Sequence, residues 1–463
     1  MTRPNCVGLW AALSALACAT PERVILDEGS ARAALEARAD ASPRLETFLA
    51  ADLPGSLLSS PAPEACARPE QPGYWYLRAA AWAPQVRASR RALAVARGEE
   101  QSAGAPDPVA LQVIDKDLGG DSDLVDALAA FDLIGLLGLG PAGAEEAVAQ
   151  TQVEAARAAL EHAAWSAWLE AERALVQWRA AARRSERLTL LESGADLDLM
   201  RVELLLAGGR LGRSPSEAAV GAAAELTRRV SLASDERSRA RARLAAVVGL
   251  DPERDLRGEA PATPAPTALG PTEAGPWFDV DAHLSTHPAL RVAQRTFELR
   301  ESQVREAAAR AWPGVSLGPR LGFMDPTLIG GVLRITVPFP SSWEGRLTAA
   351  MERRDAALEA YEDQLHLLQT GEVDALARML AAGTRVDGAS SEVVQSLLDE
   401  WEAARIGFCV QRTPLAQWTG ALRRLSMRAT WDIDDMERRE LATLDLVASR
   451  GPMAVPLFTE TPR

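Results

Sequence analysis

The chain has 463 residues and a net charge of −14, from 64 acidic and 50 basic side chains. That balance argues against a nucleic-acid binder, which would present a basic face, and four cysteines are too few for a disulfide scaffold. Alanine, leucine, arginine and glutamate dominate, as in chains built from long helices, and Lys116 is the only lysine.

The first 18 residues read as an export signal. Arg3 supplies a positive start, Val7 to Ala17 a short apolar run, and Ala15-Leu16-Ala17 leads to Cys18. The run is too short to cross a bilayer as a helix. Ala-Leu-Ala-Cys is similar to a bacterial lipobox, although that pattern prefers Leu three residues before the Cys and a small residue two before. Cys18 is the expected lipidation site, with plain signal cleavage as the alternative. Under the sorting rule of such lipoproteins, Ala19 in place of Asp points to the outer membrane. Residues 19–73 form a linker closed by Pro61, Pro63, Pro69 and Pro72.

Two copies of one unit follow, over residues 74–250 and 277–451. A Pro/Ala/Thr-rich linker, 251–276, separates them, and 452–463 is a tail. In the second copy His287-Pro288 opens a helix, proline being favoured at the first helical position. That helix carries Leu290, Phe297 and Val304 and stops before Trp312-Pro313. Two alternating strands come next. Val315, Leu317, Leu321 and Phe323 share a face of the first, and Leu333, Ile335, Val337 and Phe339 a face of the second, with Met324 to Thr327 as the turn. Strands of about ten residues with one apolar and one polar-or-small face are the mark of a membrane β-barrel. A long helical run from about Trp343 then puts Leu358, Tyr361, Leu365, Leu368, Ala375 and Met379 on a heptad seam.

The first copy aligns with the second through Pro84 with Pro288, Val86 with Leu290, Arg87 with Arg291 and Leu93 with Phe297. Its β-region is poorer: a strand from Val109 to Ile114, an acidic extended loop from Asp115 to Asp126, and an apolar glycine-bearing stretch from Phe131 to Leu139. A helix from about Gly143 to Gly209 follows, with Leu197, Met200, Leu204, Ala207 and Leu211 in register. Both copies then turn at a glycine, Arg210-Leu211-Gly212 and Arg405-Ile406-Gly407, and return. Ser214-Pro215-Ser216-Glu217 reads as a capping box opening the first return helix, which ends at Gly249. The second return resumes heptads at Leu415, Trp418, Leu422, Leu425 and Ala429 and ends at Gly451. The fold class is thus mainly α with a membrane β-barrel part. Four strands cannot close a barrel, the smallest having about eight, and open edges are not tolerated in lipid, so identical chains must share it.

This order, carried by HPALRVAQRTFELRESQVREAAARAWPGVSL, VLRITVPFP and the duplicated return helices, resembles the TolC-like outer-membrane efflux protein family over residues 74–451. The resemblance implies a homotrimer with a twelve-stranded barrel among outer-membrane lipids, continuing as a helical tunnel through the periplasm. It further implies a passive conduit with no cofactor, whose tips meet a periplasmic adaptor and an inner-membrane pump. Arg210, Leu211, Gly212, Arg405, Ile406 and Gly407 would then be the tip contacts. Members often carry acidic residues just after the second tip. Phe408-Cys409-Val410-Gln411-Arg412 has none, and Glu217 after the first tip is accounted for by its capping role. The competing reading is a periplasmic coiled-coil adaptor or structural lipoprotein without a pore, or a member whose first hairpin has decayed.

Other motifs carry less. Gly138 to Gly143 fits G-x-G-x-x-G, yet no βαβ unit follows. His283 and His287 have zinc-like spacing, but His287 precedes the helix-opening proline and no ligand cluster adjoins. His162 and His366 read as satisfied surface histidines. No nucleophile elbow, phosphate loop or catalytic carboxylate pair is present.

Overall fold

The computed structural model describes residues 72–103, 110–117, 123–132, 141–250, 287–311, 314–323, 328–336, 340–386 and 389–451. Cys18, residues 19–71 of the first linker, the second linker, the tail, His283, Gly138 to Gly140 and the Met324 to Thr327 turn lie outside them, and the last two residues assigned to the first linker are helical. In chain order the elements are α1 (Pro72–Trp82), α2 (Pro84–Ala103), β1 (Ala110–Asp117), β2 (Asp123–Asp132), α3 (Pro141–Ala207), α4 (Arg213–Val248), α5 (Pro288–Ala309), β3 (Gly314–Phe323), β4 (Leu328–Thr336), α6 (Pro340–Val386), α7 (Ala389–Cys409), α8 (Leu415–Arg428) and α9 (Trp431–Arg450).

The duplication is visible in the backbone. α2 and α5 each begin at proline, and their first apolar anchors, Val86 and Leu290, are 0% and 3% exposed. Pro288 opens α5 as expected, and His287 caps it, its ring accepting the Ala289 N–H. The two return helices end alike, at Gly249 with φ 68° and Gly451 with φ 83°. A Cβ on Gly249 would lie 3.1 Å from the Trp82 carbonyl, and one on Gly451 3.0 Å from the His287 ring. Each repeat therefore closes on the residues just ahead of its own opening proline.

The strands form one antiparallel sheet in the order β1-β2-β3-β4. Asp117 pairs with Asp123, Val125 with Phe323 and Gly314 with Thr336, so β2 and β3 join the two repeats. In the acidic stretch expected as an extended loop, residues 115–117 and 123–126 are strand, and β2 runs on to Asp132, while residues 133–139 lie outside the described residues. Strand propensity depends on pairing context. Here Val125, Ala127 and Phe131, alternate positions of β2, pair with Phe323, Leu321 and Leu317 of β3, with Asp126 between the first two.

α3 runs 67 residues, about 100 Å at 1.5 Å per residue. Its middle, with Leu160, Trp165, Trp168, Leu175, Val176 and Trp178, is buried, and α1, α2, α4, α5 and α9 pack around it. The return of the second repeat is less continuous than expected and breaks between α8 and α9. At that break Thr430 leaves helical geometry, and Asp432 and Asp434 occupy the first turn of α9, where the helix dipole favours anions. Arg187 of α3 donates to the Ala429 carbonyl at 2.8 Å and pairs with Asp432.

The heptad seams are only partly internal. Ala375 is buried, Tyr361, Leu365, Leu368 and Met379 are half-buried, and Leu358 is exposed. Leu197, Met200 and Leu204 are 60%, 58% and 74% exposed, because α3 turns Leu188, Leu191, Ala195 and Val202 inward instead. Among the described residues no helix is long and apolar enough to cross a membrane.

Candidate functional site

The sequence-predicted site lies at the two helix turns. α3 ends in a glycine cap. Gly209 takes the left-handed conformation with φ 68°, the Arg210 N–H donates to the Leu205 carbonyl at 2.9 Å, and the Gly209 N–H donates to that of Leu206 at 3.0 Å. This paired arrangement satisfies the last carbonyls of the helix. Arg210 and Gly212 are exposed, and Leu211 packs against the core below. Gly212 is the N-cap of α4 and supplies no side chain, so the capping box does not form. The helix starts one residue before Ser214. Ser216 donates instead to the Arg213 carbonyl at 2.7 Å, and Glu217 pairs with Arg213 in solvent at 3.3 Å.

The second turn has the same hydrogen bonds in a different place. Gln411 is left-handed with φ 60°, its N–H donating to Phe408 at 3.1 Å, while the Arg412 N–H donates to Gly407 at 2.8 Å. Pro414 is the N-cap of α8. The counterpart of Arg210-Leu211-Gly212 is therefore Arg412-Thr413-Pro414, seven residues beyond the expected Arg405-Ile406-Gly407. Those three belong to the last turns of α7. Ile406 is 57% exposed. Gly407 is needed for close approach: a Cβ there would overlap Thr413 Oγ1 and lie 2.9 Å from Thr413 Cβ.

Arg405 faces inward and helps close a lock beneath the turns. Its Nε lies 3.3 Å from Asp198 Oδ2, and its guanidinium sits 5.5 Å over the Trp401 ring. Asp198, on α3, is 3% exposed and also accepts Trp418 Nε1–H from α8 at 2.9 Å. Burial pushes the Asp198 carboxyl up, against the pull of Trp418 and Arg405. Arg201 of α3 donates to the Cys409 carbonyl at the end of α7. The core around the lock joins Leu191 and Val202 of α3, Leu226 of α4, Trp401 and Phe408 of α7, and Trp418 and Leu422 of α8. Trp418 was legible as stripe packing but not as a donor. Asp198 gave no signal, since its partners lie more than 200 residues away.

No cluster of three or more His, Cys, Asp or Glu capable of holding a metal occurs among the described residues. Cys409 is a free, half-buried thiol. His162 departs from its surface reading: it is half-buried, its Nδ1 lacks a hydrogen-bond partner, and burial lowers its pKa.

No protein-family model and no curated protein matches the sequence. Solved structures share the fold. The chain is similar to the outer-membrane channel OprN at 20% identity, over 82% of this chain and 89% of that one, with a TM-score of 0.67. It is similar to the outer-membrane protein VceC of Vibrio cholerae at 17%, over 82% and 95%, with a TM-score of 0.65. For the open state of the Neisseria gonorrhoeae outer-membrane channel MtrE the figures are 17%, 85% and 91%, and 0.65. The TolC-like fold expected from the sequence is thus the fold of this chain.

Proposed function

We propose that the protein is an outer-membrane channel, the passive exit duct of a tripartite efflux or type I secretion system, and performs no chemistry. The observation that carries this reading is the sheet. Its four strands are 8, 10, 10 and 9 residues long, close to the roughly 9–11 that cross a bilayer at a tilt. β1 and β4 each have one neighbouring strand among the described residues. In lipid such edges must be paired, and β4 of one copy against β1 of the next closes the sheet. Three copies give the twelve strands implied by the family resemblance. The exposed Leu197, Met200, Leu204, Leu358, Leu367 and Val373 supply apolar surface for packing the helices of neighbouring copies side by side.

In this reading residues 74–250 and 277–451 are the two repeats, and the turns point into the periplasm. Arg210, Leu211 and Gly212 meet the adaptor there, together with Val410 to Thr413 and the exposed Ile406. The adaptor in turn joins an inner-membrane pump. Opening is an iris-like movement of the hairpins that strains the Asp198 lock. Cys18 carries a lipid that adds to the anchor, which the mass of the N-terminal peptide tests.

The test of the channel is single-channel conductance of the detergent-purified protein in planar bilayers, with its oligomeric mass. A conducting trimer is expected. A folded helical monomer that never conducts would overturn the reading and favour the adaptor or structural lipoprotein.

A further inference from the structure

The two repeats close with different chemistry. At the first junction Gly249 meets Trp82, and Ala83 precedes the opening proline. At the second, Gly451 meets His287, which occupies the position of Ala83 and is 3% exposed. His287 Nδ1 accepts the Ala289 N–H at 3.2 Å, and its Nε2 lies 3.0 Å from the Ala448 carbonyl. One species satisfies both contacts: the neutral ring with its proton on Nε2, donating to Ala448 from α9 and accepting from α5.

A second proton has no place at this junction. On Nδ1 it would set N–H against N–H, remove the cap of α5 and put a cation at the positive end of that helix. The Ala448 carbonyl, at the C-terminal end of α9, favours the cation, but burial and the nearby His162 of α3 oppose it, and burial outweighs the rest. The charged groups around the junction are already engaged. Glu161 of α3 pairs with Arg291 of α5 at 2.7 Å, with Arg157 and Arg295 also acting on it, and Arg450 of α9 pairs with Glu372 of α6 at 2.9 Å.

We propose that the α5–α9 junction is an acid-released latch: protonation of His287, with His162 beside it, frees the last turn of α9 from the first turn of α5, while the junction at Trp82 and Gly249 stays closed. The sign follows from linkage. Both imidazoles are held below their ordinary value, so the opened form takes up protons first. The latch is fully stable above about pH 6.5 and loses stability as pH falls below it, toward the depressed values. Each imidazole contributes up to about tenfold per pH unit to the opening equilibrium, and the pair up to about 100-fold.

Hydrogen exchange by mass spectrometry on the full chain, at about pH 7.5 and about pH 5.5 and corrected for intrinsic rates, tests this. Segments 287–291 and 444–451 are expected to exchange about 10–100-fold faster in acid, with segments 82–86 and 244–250 unchanged. His287→Asn keeps a capping side chain that does not titrate, and His162→Phe fills its site without a ring nitrogen. The double variant is expected to lose the acid response. An equal response at both junctions of the unaltered protein, no response at the second, or an undiminished response in the double variant would each overturn the latch. The readout is local and holds whether or not the protein conducts.

Discussion

Replacing Trp418 with phenylalanine removes an N–H and little volume from the centre of the lock. Trp418 is 0% exposed and its indole donates to Asp198 at 2.9 Å. Without that donor the buried carboxylate keeps Arg405, at 3.3 Å, and the field of Arg201. A hydrogen bond to a charged group contributes about 1.5–3 kcal/mol, so Trp418→Phe should cost about 2 kcal/mol, roughly 30-fold in local opening. Asp198→Asn should cost less, about 1 kcal/mol or below, because burial already disfavours the ionised form. On the Asp198→Asn background, Trp418→Phe should add little, as expected for partners in one network. The assay is hydrogen exchange in the segments 188–202 and 397–408. A Trp418→Phe effect under about threefold, or an Asp198→Asn cost exceeding it, refutes the account. The lock also answers pH oppositely to the latch. Burial raises the folded-state value of Asp198 above 3.8, so its contribution is present in acid and is lost as pH rises through that value. Mild acid should leave the lock closed.

Gln411→Gly should raise the thermal midpoint, followed by circular dichroism. It relieves a left-handed L-residue, which costs about 1–2 kcal/mol, offset in part by the freer unfolded chain, for a net gain of about 1 kcal/mol. Gly407→Ala should lower the midpoint by about 1–3 kcal/mol of lost stability, since the new methyl displaces Thr413 and opens the turn. Glu172 of α3 predicts an alkaline effect. Burial pushes its carboxyl up to about 7 against the pull of Arg179, with Glu440 of α9 pushing the same way. The folded state thus holds a proton that the unfolded state releases, and stability falls as pH rises from 4.5 to about 7. Glu172→Gln should stabilise the protein at about pH 8 by up to roughly 3 kcal/mol and not at about pH 4. Denaturant midpoints at the two pH values check it.

The duplication was legible because each repeat opens with proline and ends with glycine, and those positions have local physical causes. The helix openings at Pro84 and Pro288 followed from the same signal, whereas the capping role of His287 emerged only in the structure. What failed was the inference that a glycine marks a turn. At the second tip the left-handed position went to Gln411, and Gly407 was kept for its close approach to Thr413, so the predicted turn fell seven residues early. β2 was missed because its carboxylates masked a period-two pattern that pairing with β3 stabilises. The stripe Leu197, Met200, Leu204 was read as a heptad register, yet it is exposed, and Leu191, Ala195 and Val202 are the residues that turn into the core. Asp198 was beyond reach, as a lone carboxylate becomes part of a lock only when α7 and α8 are brought to it.

The two repeats are mechanically unequal. α3 and α4 run 67 and 36 residues without interruption, so a push on the first turn travels along a continuous strut. A push on the second turn travels up α8 for 14 residues and meets a joint at Ala429-Thr430, pinned by Arg187. The return helix of the second hairpin thus carries a joint that the return helix of the first lacks. In any motion that displaces the turns, the first hairpin is the lever that keeps its length and the second is the one that bends.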